Sequence, residues 1–391
     1  MMKQKIFKTA LITTMLTISY AIFSTNAYAH ANSALEEAIK NSTKEQVSYF
    51  RQMEVYAQLA NHYKMIGNIE KSKVFFDKSI KSIDNIQEPY LKDEAQALFA
   101  NELATAKEFA KSIEILNQIN DQRVRTHATW KVSSKIAKEK NEKLAIELLE
   151  KLENEISLIK DLSLKAELLT GTGAKYRYIE PNKGIALVYE AYGIAQTFSN
   201  PFEKALMYNE LGANLIDIGQ KEKAMKLFKE SKEIGLALKN IHQKADVFAM
   251  HGGELAEKGE RNEAKNSLKI ALQSAIQISS KENKDEVLSE IARNFGQSYA
   301  WEEGLKTCDM IESPYHKAEA YIRISKNMYK EKLNTKSQEL LEHTFKLVDS
   351  IDNNYEKATI LRKLAAEWYM HKNDNEVNKL LTQIEQIVIK I

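Results

Sequence analysis

The residue types that most often carry chemistry occur here without the spacing that catalysis or metal binding requires. None of the eight histidines forms a His-Glu-x-x-His pair, which would place two zinc ligands on one helix face. The single cysteine, Cys308, excludes an internal disulfide and a cysteine-based metal cage. Gly252 and Gly253 lie inside an apolar helical pattern, not in a phosphate-binding loop. We therefore expect no catalytic residue, no metal site and no cofactor, and we expect that the protein is not an enzyme.

His251 and Cys308 belong to a helical pattern that recurs along the chain, described below. Each stands at a position where most copies of that pattern have an apolar residue. His251 replaces a core residue, so a buried histidine with satisfied ring nitrogens is expected, and a ligand or catalytic base is the alternative. Cys308 aligns with Phe228 and Leu268, so an inert core thiol is expected, and a nucleophile is the alternative. Neither residue stands beside a catalytic partner in the sequence.

From residue 33 onward a helical pattern recurs with a spacing of about 40 residues, or 33 in two places. Each copy has a small residue followed three positions later by a large apolar one. The small residues are Ala60, Ala100, Ser133, Gly173, Gly212, Gly252, Ala292, Ser325 and Ala365. Apolar residues three and four positions apart share one face of an α-helix. A second apolar stripe begins about twelve residues later, so each copy is predicted to be two helices joined by a turn.

The turns are visible as well. Gly67, Gly219 and Gly259 occupy the same place between the two helices of their copies, where a left-handed residue can end a helix. All four prolines fall between predicted helices. The short and long copies differ by seven residues, close to two helical turns, so the apolar face keeps its direction. We expect the curvature to change at the two short copies, the second and the seventh.

The pattern resembles the tetratricopeptide repeat (TPR). The best match consists of Tyr208, Leu211, Gly212, Leu215, Gly219, Ala224 and Phe228, and the first copy follows with Tyr56, Leu59, Ala60, Tyr63, Gly67, Ser72 and Phe76. The resemblance covers residues 46–391 and implies an all-α fold, a right-handed α-α superhelical solenoid of about nine TPR-like helical hairpins. The chain departs from the family in its longer copies and in the scarcity of the proline that usually closes one.

The resemblance implies that the first helix of each hairpin lines a concave face where partner segments bind. The matching exposed positions are acidic in the fifth and sixth copies, with Asn209, Glu210, Asp246, Glu254 and Glu257. They are basic near the C-terminus, and the candidate binding patch consists of Arg293, Asn294, Arg323, Lys326, Asn327, Arg362 and Lys363. Converging arginine and asparagine donors suit an acidic segment or a chain terminus. Ordinary mixed surface charge is the alternative.

Residues 1–29 are predicted to be a cleaved signal peptide. Three lysines precede an apolar run over residues 9–23, and Ala27-Tyr28-Ala29 has the small-x-small pattern of a cleavage site. The run is shorter than the ~20 residues that cross a bilayer as a helix, so we expect no stable membrane insertion after cleavage. An uncleaved anchor is the alternative. Residues 30–45 are expected to form an N-terminal arm or short helix, and the protein to be periplasmic or secreted.

The formal charge of +2 depends on the three lysines of the predicted leader, and the remaining chain is close to neutral. A near-neutral chain gives no electrostatic reason to bind nucleic acid or an anionic membrane surface.

The final predicted helix is more apolar than one hairpin can cover. Leu380, Ile387, Ile389 and Ile391 widen its stripe, although a solenoid usually ends on a polar face. The first interpretation is a frayed end whose isoleucines fold back on the ninth hairpin. Because such surface usually marks an interface, the alternative is a homodimer or a contact with another protein through this helix.

These features predict a noncatalytic scaffold or adaptor that binds a protein or peptide in the bacterial periplasm or secreted space. The alternative is a peptide-sensing regulator, similar to the cytoplasmic helical-repeat receptors of bacterial signalling peptides. The predicted export signal and the lack of a separate effector domain favour the scaffold.

Overall fold

The computed structural model describes residues 34–139, 142–176 and 179–391. Across these residues eighteen α-helices follow one another as nine hairpins, and no strand occurs in them. The structure confirms the predicted all-α fold and its TPR-like helical repeats. The predicted signal peptide lies outside the described residues. No helix within the described ranges combines the length and the apolar character needed to cross a membrane.

Each hairpin, called a unit here, consists of an odd-numbered and an even-numbered helix. Units one to three are α1 (Lys44–Met65) and α2 (Ile69–Asp84), α3 (Pro89–Thr105) and α4 (Phe109–Leu116), and α5 (Gln122–Lys138) and α6 (Glu142–Ser157). Units four to six are α7 (Leu162–Tyr176) and α8 (Pro181–Gln196), α9 (Pro201–Asp217) and α10 (Lys221–Ala237), and α11 (Ile241–Glu257) and α12 (Arg261–Ala275). Units seven to nine are α13 (Lys281–Gln297) and α14 (Trp301–Asp309), α15 (Pro314–Lys330) and α16 (Asn334–Leu347), and α17 (Asn354–Met370) and α18 (Asp374–Val388). Residues 34–41 are also helical.

The turn within the hairpin uses one backbone position repeatedly. Gly67, Gly219 and Gly259 have φ values of 81°, 81° and 83°, which confirms the predicted left-handed ends. Four non-glycine residues hold the equivalent place with φ between 58° and 64°, namely Lys107, Tyr299, Lys332 and Lys372. The sequence indicated this turn only where glycine marked it, because the other residues give no local signal of a positive φ.

The small residues of the first helices lie where two helices touch. A Cβ built on Gly252 would come within 2.6 Å of Leu268 Cγ, and one on Gly212 within 3.0 Å of the Phe228 ring. A Cβ on Gly173 would lie 2.7 Å from the carbonyl oxygen of Gly184. The predicted role of these small residues is thereby confirmed.

The short units lose length from their second helices alone. Helices α4 and α14 have 8 and 9 residues, whereas α3 and α13 both have 17. The loop that leaves each short helix is bound by a buried aspartate of the first helix. Asp93 accepts from Asn120 N and Asp121 N at 3.1 and 2.7 Å, and Asp285 accepts from Glu312 N and Ser313 N at 3.1 and 2.7 Å. The change of curvature at these units stays a prediction.

Unit nine packs on unit one with the same contacts that join consecutive units. Helix α17 lies against α1 as each odd-numbered helix lies against the next, and α18 lies against α1 as well. One apolar cluster unites the two ends of the chain, with Tyr56, Tyr63 and Phe75 of unit one and Leu361, Leu380 and Ile384 of unit nine. The nine hairpins therefore close into a ring. The contact between unit nine and unit one is called the seam below.

Polar contacts reinforce the seam. Tyr63 Oη and Lys71 Nζ both donate to the carboxylate of Glu385, the lysine at 2.8 Å. Tyr369 Oη donates to the carbonyl oxygen of Met65 at 3.2 Å. These groups come from positions more than 300 residues apart in the chain.

Ring closure corrects the expectation for the final helix. Leu380 is 0% exposed, and Ile387 and Ile391 pack against the cluster that includes unit one. Only Ile389, at 68%, is strongly exposed among the four residues that suggested an outside interface. The apolar stripe lacks a polar cap because the first hairpin of the same chain covers it.

The odd-numbered helices form the inner wall of the ring, because each contacts the odd-numbered helix of the next unit. Neighbouring helix axes lie about 8–10 Å apart, so nine inner helices give a circle roughly 26 Å across, and a helix diameter of about 10 Å leaves an opening roughly 16 Å wide. The space inside this wall is called the lumen below.

Candidate functional site: the inner wall of the ring

Three arginines of the candidate patch come together on the inner wall at units seven to nine. Burial lowers the pKa of Arg323 to about 9, and the positive charges of Arg293 and Arg362 add to this effect. Like charges interact this strongly only at close range and away from bulk solvent. The sequence therefore identified three residues that the fold places side by side.

Most other cations of the patch already have a carboxylate partner. Arg293 Nη2 lies 3.1 Å from Glu290 Oε1, and Lys326 Nζ lies 3.8 Å from Glu367 Oε1. Lys363 pairs with Glu319 from the preceding inner helix. These pairs reduce the net positive charge that the sequence predicted for this part of the wall.

Two donors on α15 stand apart from these pairs. Arg323 forms no ion pair or hydrogen bond with a described residue, and the side chain of Asn327 makes no hydrogen bond within the described ranges. The two residues are four positions apart, so they lie one above the other on the same helix face. The patch thus contains a guanidinium and an amide that are available to a ligand.

Some residues expected on the exposed wall are buried between inner helices. Asn294 is 1% exposed, donates to the Ala249 carbonyl oxygen at 2.9 Å and accepts from Arg293 Nε at 3.0 Å. Asn209 is buried likewise and donates to the Val247 carbonyl oxygen at 3.2 Å, and Glu210 is 3% exposed. The expectation that these three line an open groove is wrong, because neighbouring inner helices pack over them.

Unit one contributes charged residues that sequence reasoning missed. Glu54 accepts hydrogen bonds from Tyr355 Oη of unit nine and from Gln58 Nε2, the latter at 2.8 Å. The Arg51 guanidinium carbon lies 5.2 Å from the centre of the Tyr355 ring. Burial lowers the pKa of His62 to about 4, helped by the charge of Arg362. The patch therefore continues across the seam, which no local pattern could show.

The wall at units six and seven is acidic, as predicted for unit six. Burial raises the pKa of Glu254 to about 8, with Glu257 adding to the effect. Burial and the charge of Glu290 raise the pKa of Asp246 and bring that of Glu286 to about 7. This part of the lumen holds several carboxyl groups close together.

Residues 34–41 lie near these carboxyl groups, at the mouth where the inner helices begin. Leu35 and Ile39 belong to the apolar cluster of units one and two. The Glu36 carboxyl has a raised pKa, from burial and from the charge of Glu282 at the start of α13. The segment thus joins units one and two on one side and approaches unit seven on the other, so it narrows this mouth.

A small cavity of about 30 Å³ lies on the inner wall between units two and three. Its polar lining comprises Tyr90, Glu94, Asn101, Arg123, His127 and Lys131. Burial raises the pKa of Glu94 and lowers that of Lys131, and the two groups interact. The cavity has room for about two water molecules by volume.

The residues weighed for catalysis serve the core. His251 is 4% exposed, with Nδ1 2.9 Å from Ser267 Oγ and Nε2 2.9 Å from the Phe228 carbonyl oxygen. Cys308 is buried, and burial raises the pKa of its thiol. The expectations of a satisfied histidine and a core thiol are confirmed. Within the described ranges no group of three or more histidine, cysteine or acidic residues could hold a metal ion.

Replacing Glu254 with glutamine should stabilise the protein at pH 8.5 and leave it nearly unchanged at pH 5.5. The raised pKa means that the folded state binds more protons than the unfolded state between about pH 4.5 and 8, so stability falls as the pH rises through this range. With allowance for the partial exposure of Glu254, the substitution should raise the free energy of unfolding at pH 8.5 by on the order of 1–2 kcal/mol.

Thermal unfolding of both proteins at the two pH values measures this difference. Glu263→Gln, on the exposed face of α12, is the control. Because Glu263 lies in the first turn of its helix, this change should lower both midpoints by the same small amount. Equal effects of Glu254→Gln at both pH values would contradict the assigned burial.

No protein-family model and no curated protein matches the chain. Solved structures with a similar arrangement include Ton1535 from Thermococcus onnurineus NA1, with 14% identity, 75% of this chain and 97% of that chain covered, and a TM-score of 0.40. A Rap protein complexed with competence and sporulation factor has 15% identity, coverage of 87% and 98%, and a TM-score of 0.37. The signal transduction ATPase PH0952 from Pyrococcus horikoshii, which has a tetratricopeptide repeat sensor, has 12% identity, coverage of 92% and 55%, and a TM-score of 0.35. With TM-scores this low, we draw no functional conclusion from these likenesses.

Proposed function

We propose that the protein is a noncatalytic scaffold that holds an acidic polypeptide segment in the lumen of its ring. The observation that carries the proposal is the pair Arg323 and Asn327 on the inner wall, whose side chains form no ion pair within 4 Å and no hydrogen bond with a described residue. Arg293 and Arg362 lie close enough to Arg323 to lower its pKa, while Glu290 acts in the opposite direction.

An aspartate, a glutamate or a chain terminus suits this pair. A guanidinium can bind both oxygens of a carboxylate, and the amide of Asn327 can donate to the same group or to the ligand backbone. Burial of Arg323 strengthens such a contact because less water competes for it. The backbone of an extended segment fits an opening roughly 16 Å wide, as estimated from helix packing.

Arg323→Gln should weaken binding of an acidic peptide by about 10- to 100-fold, because charge-assisted hydrogen bonds contribute about 1.5–3 kcal/mol. The probe is a capped peptide of about twelve residues rich in glutamate, compared with the same peptide carrying glutamine. Fluorescence anisotropy at several salt concentrations measures the affinities.

Lys306→Gln is the matched control, because Lys306 lies on outer helix α14 and is exposed. The control should bind as the parent protein does. Equal affinity of the Arg323→Gln variant and the parent for the acidic peptide, with unchanged thermal stability, would contradict the proposed site.

We also propose that the protein works in the bacterial periplasm or outside the cell. The basic start, the short apolar run and the small-x-small pattern in residues 1–29 support this location. N-terminal sequencing of exported protein should find His30 or Asn32 first. Intact Met1 in the membrane fraction would contradict it. A homodimer through α18 is not part of the proposal, because unit one covers most of the apolar stripe.

A further inference from the structure

A cleft of about 390 Å³ lies on the outside of the ring, between the outer helices α2 and α4. Because α4 has 8 residues and α2 has 16, the last turns of α2 extend past the end of α4. The space that this difference leaves is called the outer cleft below. Its volume falls within the range of pockets that hold small molecules, about 300–1,000 Å³.

The outer cleft has an aliphatic side and a fixed edge. Ile80, Ile83 and Ile115 line it, and Ile80 is 43% exposed. An apolar group of a ligand would remove this surface from water. The loop after α4 contributes Asn120, whose backbone N–H donates to Asp93 at 3.1 Å. The cleft is therefore formed before a ligand enters it.

Gln96 gives the outer cleft a buried polar group. The residue lines the cleft and is 6% exposed, and its Oε1 has no hydrogen-bond partner within the described ranges. Its Nε2 donates to Gln118 Oε1 across 3.4 Å, which is long for such a bond. A buried acceptor without a partner destabilises the folded state, and a ligand that supplies a donor removes this cost.

Unit seven shows that a short unit does not require these polar groups. It has a second helix of 9 residues and the same aspartate contact to the following loop. Leu288 stands at the place of Gln96, counted from the small residue of its unit, and is 0% exposed. Ile276 matches Asp84 in the same way. The polar lining is therefore a property of the outer cleft and not of the short helix.

Charges of both signs lie beside the buried amide. Asp84 and Lys92 line the outer cleft, and neither side chain forms an ion pair within 4 Å or a hydrogen bond with a described residue. An ammonium group suits Asp84 and Gln96 Oε1, and a carboxylate suits Lys92. A small molecule with both charges and an aliphatic group thus matches the lining.

We propose that the outer cleft binds a free aliphatic α-amino acid as a zwitterion. The ammonium of the ligand donates to Gln96 Oε1 and pairs with Asp84, and its carboxylate pairs with Lys92. Its side chain packs on the isoleucines of the cleft. The site lies outside the ring, so this inference does not rest on the binding proposed for the lumen.

Isothermal titration calorimetry with three related probes tests the recognition of both charges. L-Leucine should saturate the site at millimolar concentration or below. L-Leucinamide lacks the carboxylate and N-acetyl-L-leucine lacks the ammonium, so each should bind at least about 10-fold more weakly than leucine. L-Serine, which lacks the aliphatic group, should also bind more weakly.

Three variants assign the contacts. Gln96→Leu should lower the affinity for leucine at least about 10-fold and raise the unfolding midpoint of the free protein, because the unpartnered amide is lost and unit seven buries leucine at the matching place. Lys92→Gln should bind leucine and leucinamide with similar affinity. Lys284→Gln, at the place in unit seven that matches Lys92, is the control and should bind as the parent protein does.

The absence of saturable leucine binding would overturn the inference, as would equal affinities of the parent protein for leucine, leucinamide and N-acetyl-leucine. A lower midpoint of Gln96→Leu with unchanged leucine affinity would assign Gln96 a structural role alone and would overturn it too. If Gln96→Leu does not fold, Lys92→Gln decides. An undiminished preference of that variant for leucine over leucinamide would then overturn the site.

Discussion

Leu380→Asp should break the ring, with a loss of about 3–5 kcal/mol at the seam. Leu380 is 0% exposed and lies in the cluster shared by units one and nine. The substitution removes apolar contacts and places a carboxylate in a fully buried apolar cluster, and each change alone is costly. The freed apolar faces of both ends should then promote association between molecules.

Ile389→Asp is the matched control, because Ile389 is one residue past α18 and is 68% exposed. Thermal unfolding and small-angle scattering of both variants measure stability and shape. The Leu380→Asp protein should unfold earlier and show a larger radius of gyration, while the control should match the parent. A compact, monomeric Leu380→Asp protein with an unchanged midpoint would show that the ends do not hold each other.

The sequence was sufficient to predict the hairpins because their signals are local. The small residue at Gly212 and the turn glycine at Gly219 both mark contacts within one unit, and the structure places them as predicted. Periodicity of three and four residues specifies which face of a helix is apolar, whatever lies far away in the chain. The same reasoning identified the core roles of His251 and Cys308.

Ring closure could not be predicted in this way. Whether nine units close depends on the rotation and rise from one unit to the next, and small angles accumulate over the whole chain. One signal was present, namely the excess apolar surface of α18 at Leu380 and Ile387. Interpreted locally, that surface indicated another molecule, whereas the matching apolar face belongs to Tyr56 and Phe75 of the same chain.

In the candidate site too, the sequence predicted what depends on one helix and missed what depends on the whole ring. Arg323 and Asn327 were identified because their helix positions point away from their own hairpin. Asn294 was misplaced because the gap between neighbouring inner helices depends on how tightly the ring curves. Arg51 and His62 were missed because they join the patch only through the seam. Residue type and position on the helix therefore predict which way a side chain points. Only the complete ring determines which of these side chains come together.

Gly173→Leu should destabilise unit four by about 1–3 kcal/mol, or more if the two helices cannot separate. A Cβ there would lie 2.7 Å from the Gly184 carbonyl oxygen and 2.9 Å from Val188 Cγ2. Backbone atoms cannot rotate away, so a leucine must push α7 from α8, and overpacking of this kind costs about 1–3 kcal/mol. At Gly212 the nearest atoms belong to the Phe228 ring, which can shift, so Gly212→Leu should cost less.

Gly193→Leu provides the matched control in the same unit. A Cβ at Gly193 meets no atom within 4 Å, and the residue is exposed on α8. Leucine favours helix over glycine by up to about 1 kcal/mol, so this variant should be slightly more stable than the parent. Urea unfolding compares the midpoints. Because the same leucine is added to the same hairpin in both variants, opposite shifts would attribute the loss at Gly173 to the close approach of α7 and α8. Similar midpoints for the two variants would refute that close approach.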